Sequence, residues 1–234
     1  MSFVAFGPTS KVLHGAVDLS SYFREASVPM EVGVEEATTC GKTAKVYIPT
    51  LTDGTASLSG LWDGAVAAVD ERLAAVLGSA SPSPLTVGWE GLAIGKRVAM
   101  LDTLESSYEV SAAVGGLVEA SAEFQANGGA RSGVSLHALA SEAATANGAS
   151  VDNAASSAGG GFAHLHASAV TGTCTVKVQH SVDNSVWVDL ITFTAATGAT
   201  AQRIEVAGTV NRYVRAIWTI VTGPATFAVA FART

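Results

Sequence analysis

The chain is poor in charge. Asp, Glu, Lys and Arg make up 14% of its 234 residues, where an average domain carries about a quarter. A free monomer with so little surface charge has little to keep copies apart, so much of the surface is expected to be covered by neighbouring subunits. Basic residues are scarcer than acidic ones, and the formal net charge is −7. That excludes a protein that grips nucleic acid through its phosphates, which takes clustered Lys and Arg. Only two cysteines occur, Cys40 and Cys174, with no CxxC or other metal-ligand spacing. A disulfide between them is unsupported, and both read as small buried hydrophobes. No apolar run approaches the about 20 residues of a membrane helix. Residues 1–10 carry neither a basic n-region nor an apolar h-region, so the chain is expected to be made and assembled in the host cytoplasm. There is no P-loop, no GxGxxG after a strand, no HExxH and no GxSxG. No local motif brings Ser or Cys to His and a carboxylate, so no catalytic residue, no cofactor and no metal site is assigned, and the chain is read as a non-enzyme.

What is present is apolar sequence in short alternating runs. Hydrophobic residues account for 48% of the chain, enough for two domains of about 100–130 residues each. In the first half, Val46-Tyr47-Ile48 ends at Pro49, and Thr52-Asp53-Gly54 reads as a tight turn. Thr55, Ser57 and Ser59 then alternate with Ala56 and Leu58, the period-2 pattern of a half-buried strand. One helix is expected, capped by Asp63, with Val66, Val69, Leu73, Val76 and Leu77 on one face and Gly78 ending it. Further strands are expected at 85–89 and 97–101. A hairpin follows, 108–114 and 117–125 around Gly115-Gly116. In it Val118, Ala120, Ala122 and Phe124 oppose Glu119, Ser121, Glu123 and Gln125.

Residues 126–133, with Asn127-Gly128-Gly129, read as a domain boundary, giving units 1–128 and 129–234. A first strand of the second unit is expected over 134–140. Residues 144–160, rich in Ala, Ser, Gly and Asn, read as a long mobile loop. Runs at 162–168, 173–180, 186–194, 201–207, 211–220 and 225–232 then read as an antiparallel β-sandwich. The first unit holds 7 Lys/Arg against 15 Asp/Glu, the second 6 against 5. Any electrostatic function therefore belongs to the first.

Three clusters have the composition of ligand sites. His164 and His166 share one strand face and, with His180, could approach a zinc site, but no third ligand is fixed by spacing, and they read as surface or edge histidines. Ser181-Val182-Asp183-Asn184-Ser185 is oxygen-rich and reads as a hairpin turn rather than a calcium loop. Trp218 shares a face with Val214, Ala216 and Ile220 and reads as core; Tyr213 and Trp187 are the candidates for exposed aromatics.

Several segments in order carry a resemblance. They are Glu35-Glu36-Ala37-Thr38-Thr39-Cys40-Gly41, Tyr47-Ile48-Pro49-Thr50-Leu51-Thr52-Asp53-Gly54 and Ser57-Leu58-Ser59-Gly60-Leu61-Trp62-Asp63. With the helix that follows, and with Tyr108-Glu109-Val110 and Leu117-Val118-Glu119-Ala120-Ser121-Ala122-Glu123-Phe124, they resemble the tail tube proteins of long-tailed bacteriophages. The second unit is similar to β-sandwich modules appended to tail proteins of actinobacterial phages. That likeness rests on Val176-Lys177-Val178-Gln179-His180-Ser181-Val182-Asp183, Trp187-Val188-Asp189-Leu190 and Asn211-Arg212-Tyr213-Val214-Arg215-Ala216. The resemblance implies a mainly β fold: a tail-tube-type sandwich or barrel with one helix, plus a C-terminal antiparallel β-sandwich on the outside. It implies a virion protein that stacks in hexameric rings around an inner β-barrel through which DNA is ejected. Its implied partners are further copies of itself, the tape-measure, tail tip and tail terminator proteins, and DNA in passage without specific binding; no membrane is involved.

A duct for DNA should repel phosphate weakly and bind it nowhere. Thr55, Ser57, Ser59, Glu119, Ser121, Glu123 and Gln125 are therefore expected to line the lumen. Residues 32–45 are polar without clear periodicity and are expected to form a loop reaching the next ring, with Glu35, Glu36, Thr38, Thr39, Gly41 and Lys42 as its contacts. Two alternatives remain at this level. One is a virion-surface sandwich that binds carbohydrate or cell wall. The other is a head decoration or tail terminator protein.

Overall fold

The structure, a computed structural model, describes residues 6–234; residues 1–5, part of the segment read for a leader, lie outside it. The first half contains β1 (Lys11–His14), β2 (Val17–Asp18), β3 (Phe23–Ser27), β4 (Met30–Glu36), β5 (Tyr47–Leu61), α1 (Val69–Ala74), β6 (Ser83–Gly88), β7 (Arg97–Ala112) and β8 (Val118–Ala126). The second contains β9 (Arg131–Glu142), β10 (Ala146–Asn147), β11 (Val151–Asp152), β12 (Gly161–Val170), β13 (Thr173–Ser181), β14 (Val188–Thr192), β15 (Thr200–Val206), β16 (Tyr213–Thr222) and β17 (Ala225–Arg233). The fold is mainly β, and its strands pair antiparallel.

Alternation sorts the first half into a core and an outer face. On β5, Ala56 and Leu58 point inward; on β8, Ala120, Ala122 and Phe124 do the same. Ala56, Leu58, Ala122 and Phe124 pack on Val12, Leu85, Val87, Ala99 and Leu101 from β1, β6 and β7, and on Val69 and Leu73 of α1. Tyr108 Oη, donating to Asp70 Oδ1 at 2.9 Å, ties the helix to β7. In the second half, the sheet β15-β12-β17-β9 faces a second sheet, β16-β13-β14 with β10 and β11 on the other edge of β16. Leu165, Phe227, Val229 and Phe231 from one sheet meet Val176, Val178, Val214 and Trp218 from the other. Trp218 donates its indole N–H to Ala144 O at 3.0 Å, which satisfies its one polar atom.

The halves are joined through one sheet. β7 is long enough to pair with β8 over Thr103–Ala112 and with β9 over Arg97–Met100. A third cluster lies where the halves face each other: Leu13, Leu92, Val98 and Met100 meet Phe162, Ala228, Ala230 and Ala232. β12 and β17 are therefore buried on both faces, and the alanines on the joint side let the layers approach closely.

Several expectations need correction. Thr52-Asp53-Gly54 is not a turn, because β5 runs straight through it for 15 residues. Gly54 is required there by proximity: a Cβ at that position would sit 2.5 Å from Ala130 Cβ. Pro49 is tolerated because no partner needs its missing N–H on the outer side of the strand. Residues 32–36, expected to be loop, form most of β4 and pair with β5 from Met30↔Gly54 to Glu36↔Tyr47. The helix is only six residues and starts at Val69. Asp63 Oδ1 accepts from Ala65 N–H and does not cap it, and Val66 is fully exposed. Residues 144–160 are not a free loop: Ala146 and Val151 pair with Trp218 and Val214, and Ser157 bridges Val210. Cys40 is exposed rather than buried; Cys174 is buried, and both are free thiols.

Candidate functional site

The outer face of β3-β5-β8-β7 is the most distinctive surface of the first half. Register places Thr55 opposite Gln125, Ser57 opposite Glu123, Ser59 opposite Ser121 and Leu61 opposite Glu119. Antiparallel partners share a face, so the seven residues expected to line a lumen stand on one side of two adjacent strands. The flanking strands extend it. Ser107 and Glu109 of β7 lie opposite Glu123 and Ser121, while Glu25 and Ser27 of β3 lie opposite Ser59 and Ser57. Serines and glutamates thus cover four strands, over a concavity of about 330 Å³ near Glu25, Glu109 and Glu119 in which Arg24 is the one cation among the described residues. Ser57 Oγ donates to Glu123 Oε2 at 2.6 Å, and Gln125 Nε2 donates to Asp53 Oδ1 at 2.7 Å. These bonds tie β5 to β8 across the outer face.

Both edges of this sheet are open. β6 accompanies β7 only as far as Thr103, so 104–112 has no partner on that side among the described residues. Among the described residues, β3 and β4 pair with β5 alone. Past Gly54, β4 and β5 leave the body as a two-stranded arm, exposed on both faces. Met30, Val32, Val34, Tyr47, Ile48 and Leu51 of that arm are all exposed, Leu51 at 85%. A lone hairpin is at best marginally stable in water, and unpaired edges with exposed apolar side chains template pairing with another chain. Glu35 and Glu36 lie on β4, whereas Thr38, Thr39, Gly41 and Lys42 lie in the connecting loop 37–46 at the arm's tip. Lys45 Nζ closes that loop on Glu36 Oε2 at 2.7 Å. Alternation revealed the serine–glutamate face of β5 and β8, but β3 was missed because its partner lies beyond the arm in sequence, and the arm's pairing because neither of its faces is buried.

The other weighed clusters resolve differently. His164 and His166 are buried at the joint between the halves, not on the surface, and His180 lies apart, its Nδ1 accepting from Asn211 N–H at 3.1 Å. Among the described residues no group of three or more His, Cys, Asp or Glu is placed to hold a metal ion. Asp183 Oδ1 accepts from Ser185 and Val186 N–H, and with Asn184 at φ 61° this is a hairpin turn. Trp187 and Tyr213 are half-buried, each with an arginine over its ring: Arg215 at 4.1 Å and Arg212 at 4.9 Å.

No known protein-family profile matches the chain, and no curated protein does. Among the solved structures similar to this chain, three illustrate the likeness. A chain from the virion of a native gene transfer agent particle is 11% identical, covering 52% of this chain and 93% of that one at a TM-score of 0.42. A chain from the tail of an empty particle of that kind, with C6 symmetry, is 11% identical over 51% and 92%, at 0.40. The Dit (gp 19.1) protein of phage SPP1, described as a hub adsorption apparatus protein, is 13% identical over 97% and 100%, at 0.38. At these identities and scores the likeness fixes no family, and function has to be argued from the sheet itself.

Proposed function

We propose that this chain is a structural virion protein that polymerises into stacked hexameric rings forming a phage tail tube, the conduit for DNA ejection. The observation that carries the reading is a four-stranded sheet with an apolar inner face, a serine–glutamate outer face and two open edges. An open β7 edge on one copy and an open β3–β4 edge on the next make a head-to-tail contact, the kind that closes into rings when the rotation allows. Copies joined this way turn one continuous face toward the axis. The carboxylates Glu25, Glu109, Glu119 and Glu123 would then keep phosphates from settling. The arm, with Thr38, Thr39, Gly41 and Lys42 at its tip, reaches the adjacent ring. Residues 1–128 act as the tube unit and 129–234 as an outward sandwich. Tape-measure, tail tip and terminator proteins are the partners such a tube requires.

The test is negative-stain electron microscopy of the purified chain across a concentration series, with and without tail-tip seeds. Hollow tubes or stacked rings are expected. Single rings that never stack would move the chain to the terminator class, and monomers under every condition would overturn assembly altogether. The lumen assignment has its own test: Glu119→Lys with Glu123→Lys should impair DNA passage, and unaltered infectivity of the double variant would refute it.

A further inference from the structure

The joint between the halves holds a buried hydrogen-bond chain that the assembly proposal does not use. Thr86 Oγ1 on β6 lies 3.0 Å from His164 Nδ1 and 2.8 Å from His166 Nε2, both on β12. His166 Nδ1 lies 2.7 Å from Gly15 O. A carbonyl only accepts, so His166 Nδ1 carries the proton and, in the neutral ring, Nε2 is the acceptor. Thr86 must give its one hydroxyl proton to that nitrogen, and therefore accepts from His164 Nδ1–H. His164 Nε2 is left as a bare lone pair, buried and without a partner among the described residues. The chain runs one way: His164 to Thr86 to His166 to Gly15 O.

Another proton enters this chain only at a cost. A proton on His166 Nε2 turns the Thr86 hydroxyl onto His164 Nδ1 and moves His164's own proton to Nε2, where it is buried with no acceptor among the described residues. A proton on His164 Nε2 makes a buried cation with no acceptor. The surroundings do not compensate. His14 on β1 is 6% exposed, with its own Nε2 unpartnered among the described residues. Arg203 on β15, directly opposite His164, adds positive charge. The nearby carboxylates are Asp102 and Glu205, which face Arg203, and Asp18 of β2, paired with Lys11. Glu105 shares a small cavity with His14, and Glu71 and Arg72 of α1 line the groove beside it. Burial, then the charge of His166, holds His14 down to about 4; burial holds His166 down to about 4 despite its bond to Gly15 O. His164 is lowered further, by burial first and then by His166 and Arg203.

Apart from Ala130, which packs into the first core, the two large cores lie within their own halves, while the cluster spanning the joint relies on three alanines for much of its second-half side. The joint therefore holds the smallest of the three apolar clusters among the described residues, and it is the one the histidine chain borders. We propose that the Thr86–His164–His166 chain is an acid-released latch, which parts the second half from the first while both keep their own cores. This inference stands independently of the tube reading.

Hydroxyl-radical footprinting of the full chain, read by mass spectrometry from pH 7 down to pH 3.5, tests it. Met100 and Phe162, buried at the joint, should become oxidised near pH 4, while Phe124 and Trp218 in the separate cores stay protected. The triple variant His14→Gln, His164→Gln, His166→Gln should keep Met100 protected at pH 4. Thr86→Ala, which removes both bonds of the latch and so weakens the closed joint, should move the release to higher pH. The latch is refuted if Phe124 and Trp218 become exposed together with Met100, if Met100 stays protected throughout, or if the triple variant opens where the unaltered chain does. Should the triple variant not fold, an unchanged release pH in Thr86→Ala decides against the latch.

Discussion

Gln125 Nε2 donates to Asp53 Oδ1 at 2.7 Å, and to the Gly54 carbonyl at 3.2 Å, where β5 leaves the sheet to become the arm. The bond is exposed, so its net worth sits at or below the usual about 0.5–1.5 kcal/mol. Gln125→Ala should leave the melting temperature nearly unchanged yet raise amide exchange over 47–53. Unchanged exchange there would mean the arm is held by its backbone ladder alone.

Gly54 itself faces backbone as well as side chain, with Ala130 N 3.0 Å from a built Cβ. Neither neighbour is the flexible end of a long side chain. Gly54→Val should destabilise the chain by about 1–3 kcal/mol, the range for overpacking a tight contact, as measured by urea denaturation. A value near zero would show that residues 127–130 give way freely.

The arm's apolar side chains touch little in the single chain. Ile48→Glu with Leu51→Glu should therefore leave thermal stability within about 0.5 kcal/mol of the original while abolishing tubes in electron micrographs. Loss of both folding and assembly would mean the arm is part of the monomer's own structure.

Glu105 is 6% exposed, both carboxylate oxygens lack partners among the described residues, and burial pushes its pKa up to about 7. A carboxyl raised in the folded state costs nothing below its unfolded value of 4.5, and that stability is lost as pH rises toward 7. His14 and His166, lowered to about 4, act in the opposite sense: their contribution is complete above 6.5 and is lost as pH falls toward 4. Glu105→Gln should thus gain stability over the original chain progressively from pH 4.5 to 7 and hold that gain above it. Urea titrations at pH 4, 5.5, 7 and 8 read this directly, and a difference independent of pH would show that Glu105 titrates as if exposed.

The features legible in the sequence are those whose partners lie close along the chain. Alternation on 117–125 divides inner from outer residues because a strand has period 2, and the Gly115-Gly116 turn sets the register with β7. The runs of the second half became strands for the same local reason. Tertiary structure alone decided the rest. Asp53-Gly54 has the composition of a turn, yet the approach of Ala130 makes Gly54 part of a straight strand. Residues 32–36 lack periodicity because neither face of the arm is buried in the single chain, so no apolar stripe marks them as strand. His164 and His166 read as edge histidines until the fold brings Thr86 against them from 78 and 80 positions away. Local spacing settles which way a side chain points; what waits for it there is settled by strands brought together across the whole chain.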